Sequence, residues 1–249
     1  MNVQYMTSSE LKTRAKDLLD GRYGSAILIL FLGNMVAFAL STICSTLFGG
    51  LQLLTEANGL AGTLISVLIS SAISLFTNIF SAGYALFFLN MACRRSCDVS
   101  NLFYGYRWQF SKCMTVSAFF TGVNLVCMLP YQICFALFRQ TQEMGWLMAA
   151  MLTISAALII LTVFSLVYSQ CYYLMLDFPD YSAKQLLSTS RKLMKGHKGR
   201  LFYLQVSFIP LTLLALLTCG IGMLWLSPYM HMTYTCFFLD LMNPRRVAG

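Results

Sequence analysis

Positive charge along this chain is confined to four short stretches, with long apolar segments between them. Of 17 Lys and Arg residues, all but Arg139 fall at 12–22, 94–112, 184–200 and 245–246. The chain is 58% hydrophobic and 10% charged, whereas soluble domains carry about 25% charged residues. A water-soluble core of 249 residues has too little interior to hide that much apolar surface. Lipid is the solvent such a chain requires.

The apolar runs predict six membrane-spanning helices, at about 24–47, 60–91, 114–137, 147–174, 201–218 and 223–242. Each is long enough, at about 1.5 Å per residue, to cross most or all of a hydrocarbon core roughly 30 Å thick. The second run is longer than a span needs, so it is expected to be tilted, kinked near Gly83 or extended beyond the lipid, and Pro130 in the third is an expected kink site. Residues 48–58 and Gly220-Ile221-Gly222 read as short connections on the side whose one cation is Arg139. The cationic stretches then all lie on one side, so the positive-inside rule places both ends in the cytoplasm. Trp108, Trp146 and Trp225 fall near span boundaries, where indole rings prefer to sit. The expected fold is all-α: a polytopic membrane protein with one integral-membrane domain over residues 1–249.

The net charge of +8 is explained by this topology and needs no nucleic-acid partner. Residues 24–36 are apolar and Ala37-Phe38-Ala39 mimics a cleavage site. The preceding region carries Glu10, Asp17 and Asp20, however, and the apolar run continues to Leu47, so a retained span is expected. Cys93, Cys97 and Cys113 are assigned to a cytoplasmic loop, where thiols stay reduced. Cys93 and Cys97 lie one helical turn apart, but no His or second Cys pair accompanies them, so free thiols are favoured over zinc.

The inner stretches carry their own pattern. Thr7 and Glu10 form a capping box ahead of a helix at 8–20. In it Leu11, Ala15, Leu18 and Leu19 share one face, with Lys12, Arg14, Lys16 and Asp20 mostly opposite. In the basic segment 177–200, Ser182 and Gln185 repeat the box. Leu186, Ser190, Leu193 and Met194 share a face, opposite Lys184, Arg191, Lys192 and Lys195. Residues 11–27 align with 186–202, matching Leu11 to Leu186, Lys16 to Arg191, Gly21 to Gly196 and Gly24 to Gly199. The glycines are expected to end the surface helices, with anion binding as the alternative role. A weaker copy spans Asp98–Phe110, with Leu102, Phe103, Tyr106 and Phe110 on one face. The even spans end alike, at Tyr84–Asn90, Cys171–Asp177 and Tyr234–Asp240. Together these predict three repeated units, each a cytoplasmic amphipathic helix lying on the membrane followed by a two-span hairpin.

The C-terminal half contains D-F-P-D-Y-S at 177–182, S-R-K-L-M-K-G-H-K at 190–198, then Ser207-Phe208-Ile209, L-T-C-G-I-G at 217–222 and Pro228-Tyr229. With R-A-K-x-x-L-x-G from Arg14 to Gly21, these strings resemble the bacterial integral-membrane family known as domain of unknown function 975. A more distant similarity is to the membrane domain of some glycerophosphodiester phosphodiesterases. The resemblance implies a multi-pass protein of the bacterial plasma membrane. It implies no activity and no catalytic residues. Pro210 departs from the family's pattern after S-F-I and is expected to alter how the fifth span bends.

No catalytic set, metal-ligand spacing or phosphate-cradling loop is visible, so neither an enzyme nor a cofactor is expected. His197 is expected to meet solvent or headgroups, and His231 to be buried and bonded to a neighbouring carbonyl. Asn34, Asn78 and Asn124 lie within spans and are expected to make interhelical hydrogen bonds, or alternatively to line a polar path. The leading expectation is a non-enzymatic protein engaging anionic lipid, or a membrane-protein partner, at its cytoplasmic face. The headgroup contacts would be Arg14, Lys16, Arg22, Lys184, Arg191, Lys192, Lys195, Lys198 and Arg200. The alternative is a channel, exporter or permease for a lipid or small amphiphile.

Overall fold

A computed structural model describes residues 2–56 and 60–247. Among the described residues, the regular structure is helical apart from one short pairing of two terminal segments. Helix α1 (Ser8–Leu19) is followed by the long α2 (Tyr23–Glu56) and α3 (Leu60–Ala92). A 3-10 turn (Val99–Phe103) and the single-turn α4 (Tyr104–Arg107) lead to α5 (Phe110–Thr141) and α6 (Met144–Tyr168). Then come α7 (Cys171–Asp177), α8 (Ala183–Leu193), α9 (Lys198–Val206), α10 (Ile209–Leu217) and α11 (Met223–Met242). Strand β1 (Asn2–Gln4) pairs antiparallel with β2 (Arg245–Val247), Asn2 opposite Val247.

Among the described residues, five stretches are long and apolar enough to cross a membrane: Tyr23–Ile43, Gly62–Ala92, Phe110–Thr141, Met144–Asp177 and Lys198–Leu217. The sixth expected span corresponds to α11, which does not qualify by composition. It carries His231, Thr233, Thr235 and Asp240 within its length, and three of these four are buried. Side chains such as Leu152, Ile159 and Leu217 stand 67–81% exposed, which hydrocarbon tolerates and water does not.

Several boundaries differ from expectation. Helix α2 continues through most of the expected loop 48–58, and residues 57–59 lie outside the described residues. Helix α3 runs unbroken past Gly83, and Pro130 lies inside α5 without ending it. Cys113 is buried in the first turn of α5, outside any loop. The fourth and fifth spans are each two helices. The break before α10 has a direct cause: Pro210 offers no N–H to the Val206 carbonyl, and its ring crowds that carbonyl. The break at Ser169–Gln170 contains neither Pro nor Gly. Here the buried Ser190 hydroxyl, from α8, donates to the Val167 carbonyl at 3.0 Å. A side chain inserted beside the last turn of a helix is a known cause of interruption.

The chain divides into two compact units. One comprises residues 1–34, 80–108 and 166–249; the other comprises 35–79 and 109–165.

In the first unit the amphipathic helices meet protein through their apolar faces. Leu11, Ala15 and Leu19 of α1 are 0–2% exposed, and α1 packs on α11. Leu186, Ser190 and Met194 are fully buried, and α8 packs on α7. This corrects the expectation that these faces rest on lipid: periodicity defines an apolar face, and here helices supply its cover. Both capping boxes form, Thr7 with Glu10 and Ser182 with Gln185. Gly21 and Gly196 both take positive φ, +68° and +87°, the left-handed conformation that ends a helix without a Cβ penalty. Gly24 and Gly199 instead lie in the first turns of α2 and α9. The middle segment is not a regular amphipathic helix. Its 3-10 turn has no side-chain cap at Asp98, and Leu102 is buried while Phe103 and Phe110 are exposed. Leu102 docks on Gly83 of α3, where an added Cβ would collide with the Leu102 carbonyl. The recurring span ends form the common floor: Phe87, Phe88, Leu174, Met175, Phe237 and Phe238 are all 0–1% exposed.

Candidate functional site

The expected headgroup contacts divide into two groups. Arg14, Lys16, Arg22, Lys184, Arg191, Lys192, Lys195 and Lys198 are exposed. Arg200 is committed internally. Its Nη2 donates to Asp240 Oδ2 at 2.7 Å and to the Met6 carbonyl at 2.7 Å. Asp240, 3% exposed, also accepts from the Met6 N–H at 3.1 and 3.2 Å. The guanidinium lies 4.8 Å from the Tyr5 ring centroid and 5.3 Å from that of Phe237, within cation–π range. One carboxylate thus ties the segment before α1 and the start of α9 to the end of α11. Asp240 was the sequence's signal for this clamp, because an acid at the end of an apolar helix needs a partner.

His197 completes the clamp rather than standing free. Its ring packs edge-on against Tyr5 at 4.5 Å, and Nδ1 lies 3.5 Å from Arg200 Nη1. Burial and the Arg200 charge hold its pKa below the ordinary imidazole value, against a weaker pull from Asp240. A neutral ring therefore sits beside the guanidinium at neutral pH. Lys12, assigned to the polar face of α1, also turns inward: Nζ donates to the Ser207 carbonyl at 3.2 Å and lies 4.4 Å from the Phe208 ring. It braces the chain beside the Pro210 break. Burial, then Lys16, lower its pKa.

The second unit holds a different kind of site. An open-sided cleft of about 450 Å³ lies among α3, α5 and α6. That volume is within the usual range for small-molecule sites. Helix α3 contributes Ser70, Ser71, Ser74 and Asn78, a spacing that lines one helical face. Thr121, Asn124 and Gln132 come from α5, and Ser165 from α6. The rest of the lining is apolar, including Phe120, Met128 and Phe164. Among the described residues, no Asp, Glu, Lys or Arg takes part.

Hydrogen bonding gives this cleft a direction. Ser70 and Ser71 both donate to the Val67 carbonyl, at 3.0 and 2.7 Å, and Ser165 donates to Thr162 at 2.9 Å. A hydroxyl whose hydrogen is used on its own helix has only lone pairs left to present. Asn78 Nδ2 donates to Thr121 Oγ1 at 3.3 Å, the interhelical bond expected of it. Asn124 is exposed on the cleft wall, while Asn34 is exposed in the other unit and outside the cleft. These serines present acceptors, the Asn124 and Gln132 amides offer donors as well as acceptors, and the sides of the cleft are apolar. The serine stripe at 70, 71 and 74 was visible in the sequence as polar residues on one face of an apolar helix. Attention to the asparagines alone misses it.

Among the described residues, no group of three metal-ligating side chains assembles. Burial pushes the Cys97 thiol pKa up, with Asp98 adding to this and Arg22 opposing it, so it is a poor thiolate donor.

Long apolar helices and an uncharged polar cleft are the marks of a membrane protein with several spans. The chain belongs to the family described as Protein of unknown function (DUF975), whose model matches residues 6–244. No curated protein and no solved structure matches it.

Proposed function

We propose that this chain is a carrier, exporter or permease for a small uncharged amphiphile, which it holds in the cleft of the second unit. The observation that carries this is the set of acceptor side chains in helices otherwise suited to hydrocarbon. Polar groups facing lipid are costly unless something bonds them. A solute with an O–H or N–H donor and an apolar body answers both the acceptors and the apolar walls.

The test uses a diazirine-bearing long-chain alkanol with the protein in nanodiscs. Labelling is expected to concentrate on cleft-lining peptides of α3 and α5. It should fall about tenfold in the Asn78→Leu, Asn124→Leu double variant, the equivalent of one or two lost hydrogen bonds. Labelling spread evenly over the lipid-facing helices, or unchanged in the variant, rejects the reading.

The reading takes the chain as a six-span protein of the bacterial plasma membrane, with both ends in the cytoplasm. The pairing of β1 with β2 supports this reading, since ends that meet on one side go with an even number of crossings. Helix α11 supplies the sixth, and its polar residues are tolerated because protein covers them. Three repeated units are supported by three matching contacts: α1 on α11, α8 on α7, and Leu102 on α3. In each, an inner segment docks on the inner end of an even span.

A second role at the inner face is favoured by the exposure of eight cations, six on helices and Arg22 and Lys195 in the turns that follow α1 and α8, whose apolar sides are already covered. Their charge is left for anionic headgroups, at about 1 kcal/mol per cation. Reversing Lys192, Lys195 and Lys198 to Glu should reduce co-purified phosphatidylglycerol more than about tenfold, since several kcal/mol are removed. Equal retention by a variant of unchanged topology refutes this role.

A further inference from the structure

We propose that the first unit contains a second binding site, separate from the cleft, for a small uncharged ring compound bearing one hydrogen-bond donor directed at Gln170. A cavity of about 180 Å³ lies where the Ser169–Gln170 break meets α3, α7, α9 and α11. It has room for about six waters at roughly 30 Å³ each, or for one solute smaller than a typical drug.

Gln170 identifies the chemistry. It is 2% exposed and lines the cavity. The Ser169 hydroxyl donates to the Leu166 carbonyl at 3.1 Å, so towards Gln170 it acts as an acceptor. It therefore receives the Gln170 Nε2 donor, 2.8 Å away, and this fixes which end of the amide is which. Gln170 Oε1 is left buried with no hydrogen-bond partner. Such an orphan acceptor carries a desolvation penalty, which a donor in the cavity removes.

The remaining walls define the body of that donor. Among the described residues, no formal charge lines the cavity, so an ion would find no counter-charge among them. Tyr84, Tyr173, Tyr234 and Leu201 supply flat and apolar surface. The His231 ring is held parallel to Phe88, 9° between planes and 5.3 Å between centroids. Among the described residues nothing hydrogen-bonds that ring, contrary to the carbonyl partner expected from sequence. Tyr173 is fixed by its hydroxyl at 3.1 Å from Thr235 Oγ1. A flat molecule with one N–H or O–H matches this set, and the helix break is what opens the space for it.

The experiment uses 5-fluoroindole and 5-fluoro-1-methylindole, which share shape and apolarity but differ in the N–H. Binding to the full chain in nanodiscs is followed by 19F NMR. The wild type should bind 5-fluoroindole saturably, and the methylated probe about tenfold or more weakly, as expected for one lost buried hydrogen bond. Gln170→Leu should erase that difference, and Asn124→Leu, in the other unit, should leave it intact. Equal binding of both probes to the wild type, or absence of saturable binding, overturns the proposal. So does a preference for the N–H probe that survives in Gln170→Leu. The probe comparison on unaltered protein decides the matter even if Gln170→Leu does not fold. Loss of the preference in Asn124→Leu would move the site to the cleft and equally overturn it.

Discussion

Asp240→Ala is expected to lower the unfolding free energy by about 3–5 kcal/mol, the range for removing one partner of a buried ion pair. The side chain of Asp240 is 2% exposed and that of Arg200 27%. Arg200 would keep partial hydration and its bond to the Met6 carbonyl, which favours the lower end of that range. The Met6 N–H, bonded by both carboxylate oxygens, would lose its acceptor as well. Asp240→Asn, which retains an acceptor for that N–H, should cost less. Pairing Asp240→Leu with Arg200→Met should recover much of the loss, because replacing both charges leaves neither buried alone. Denaturation of the wild type, Asp240→Leu, Arg200→Met and the double variant in one detergent gives the double-mutant cycle. A wild-type midpoint for Asp240→Ala would remove the clamp from the account of stability.

The clamp also shows where sequence reading stops. Arg200 sits in a basic string with Lys184, Arg191, Lys192, Lys195 and Lys198, and nothing local separates it from them. Its partner is 40 residues away, on a helix whose packing is set by the whole unit. Amphipathicity located α1 and α8 and their caps, since caps and helical periodicity are local properties. Whether the apolar face meets lipid or protein is not local, and here Leu11, Ala15 and Leu19 meet α11. The two breaks differ in the same way. Pro210 announces its own break by lacking an N–H. The Ser169–Gln170 break is met by a hydrogen bond from Ser190, in another helix, and leaves no mark in its own sequence. The cleft was half legible: the polar stripe on α3 follows helical spacing, but the facing Thr121 and Gln132 become its other wall only through tertiary packing.

Gly83 separates two physical roles that a glycine in a span can play, and substitution tells them apart. As a kink site it would leave α3 bent or broken, yet the helix is continuous from Leu60 to Ala92. Its role is close approach: a Cβ there would meet the backbone of Leu102, and main chain cannot rotate aside as a side-chain tip can. Gly83→Ala is therefore expected to destabilise by about 1–3 kcal/mol through overpacking, despite the better helix propensity of Ala. Gly122 in α5 is the control, because nothing lies within 4 Å of its added Cβ. Gly122→Ala should stabilise by about 0.5–1 kcal/mol, the ordinary gain for Ala over Gly in a helix interior. Shifts of opposite sign in parallel unfolding experiments are the expected result. Shifts of the same sign would mean that Leu102 does not rest on Gly83. The middle inner segment would then have no anchor on α3, and the third of the three matching contacts behind the repeated-unit reading would be lost.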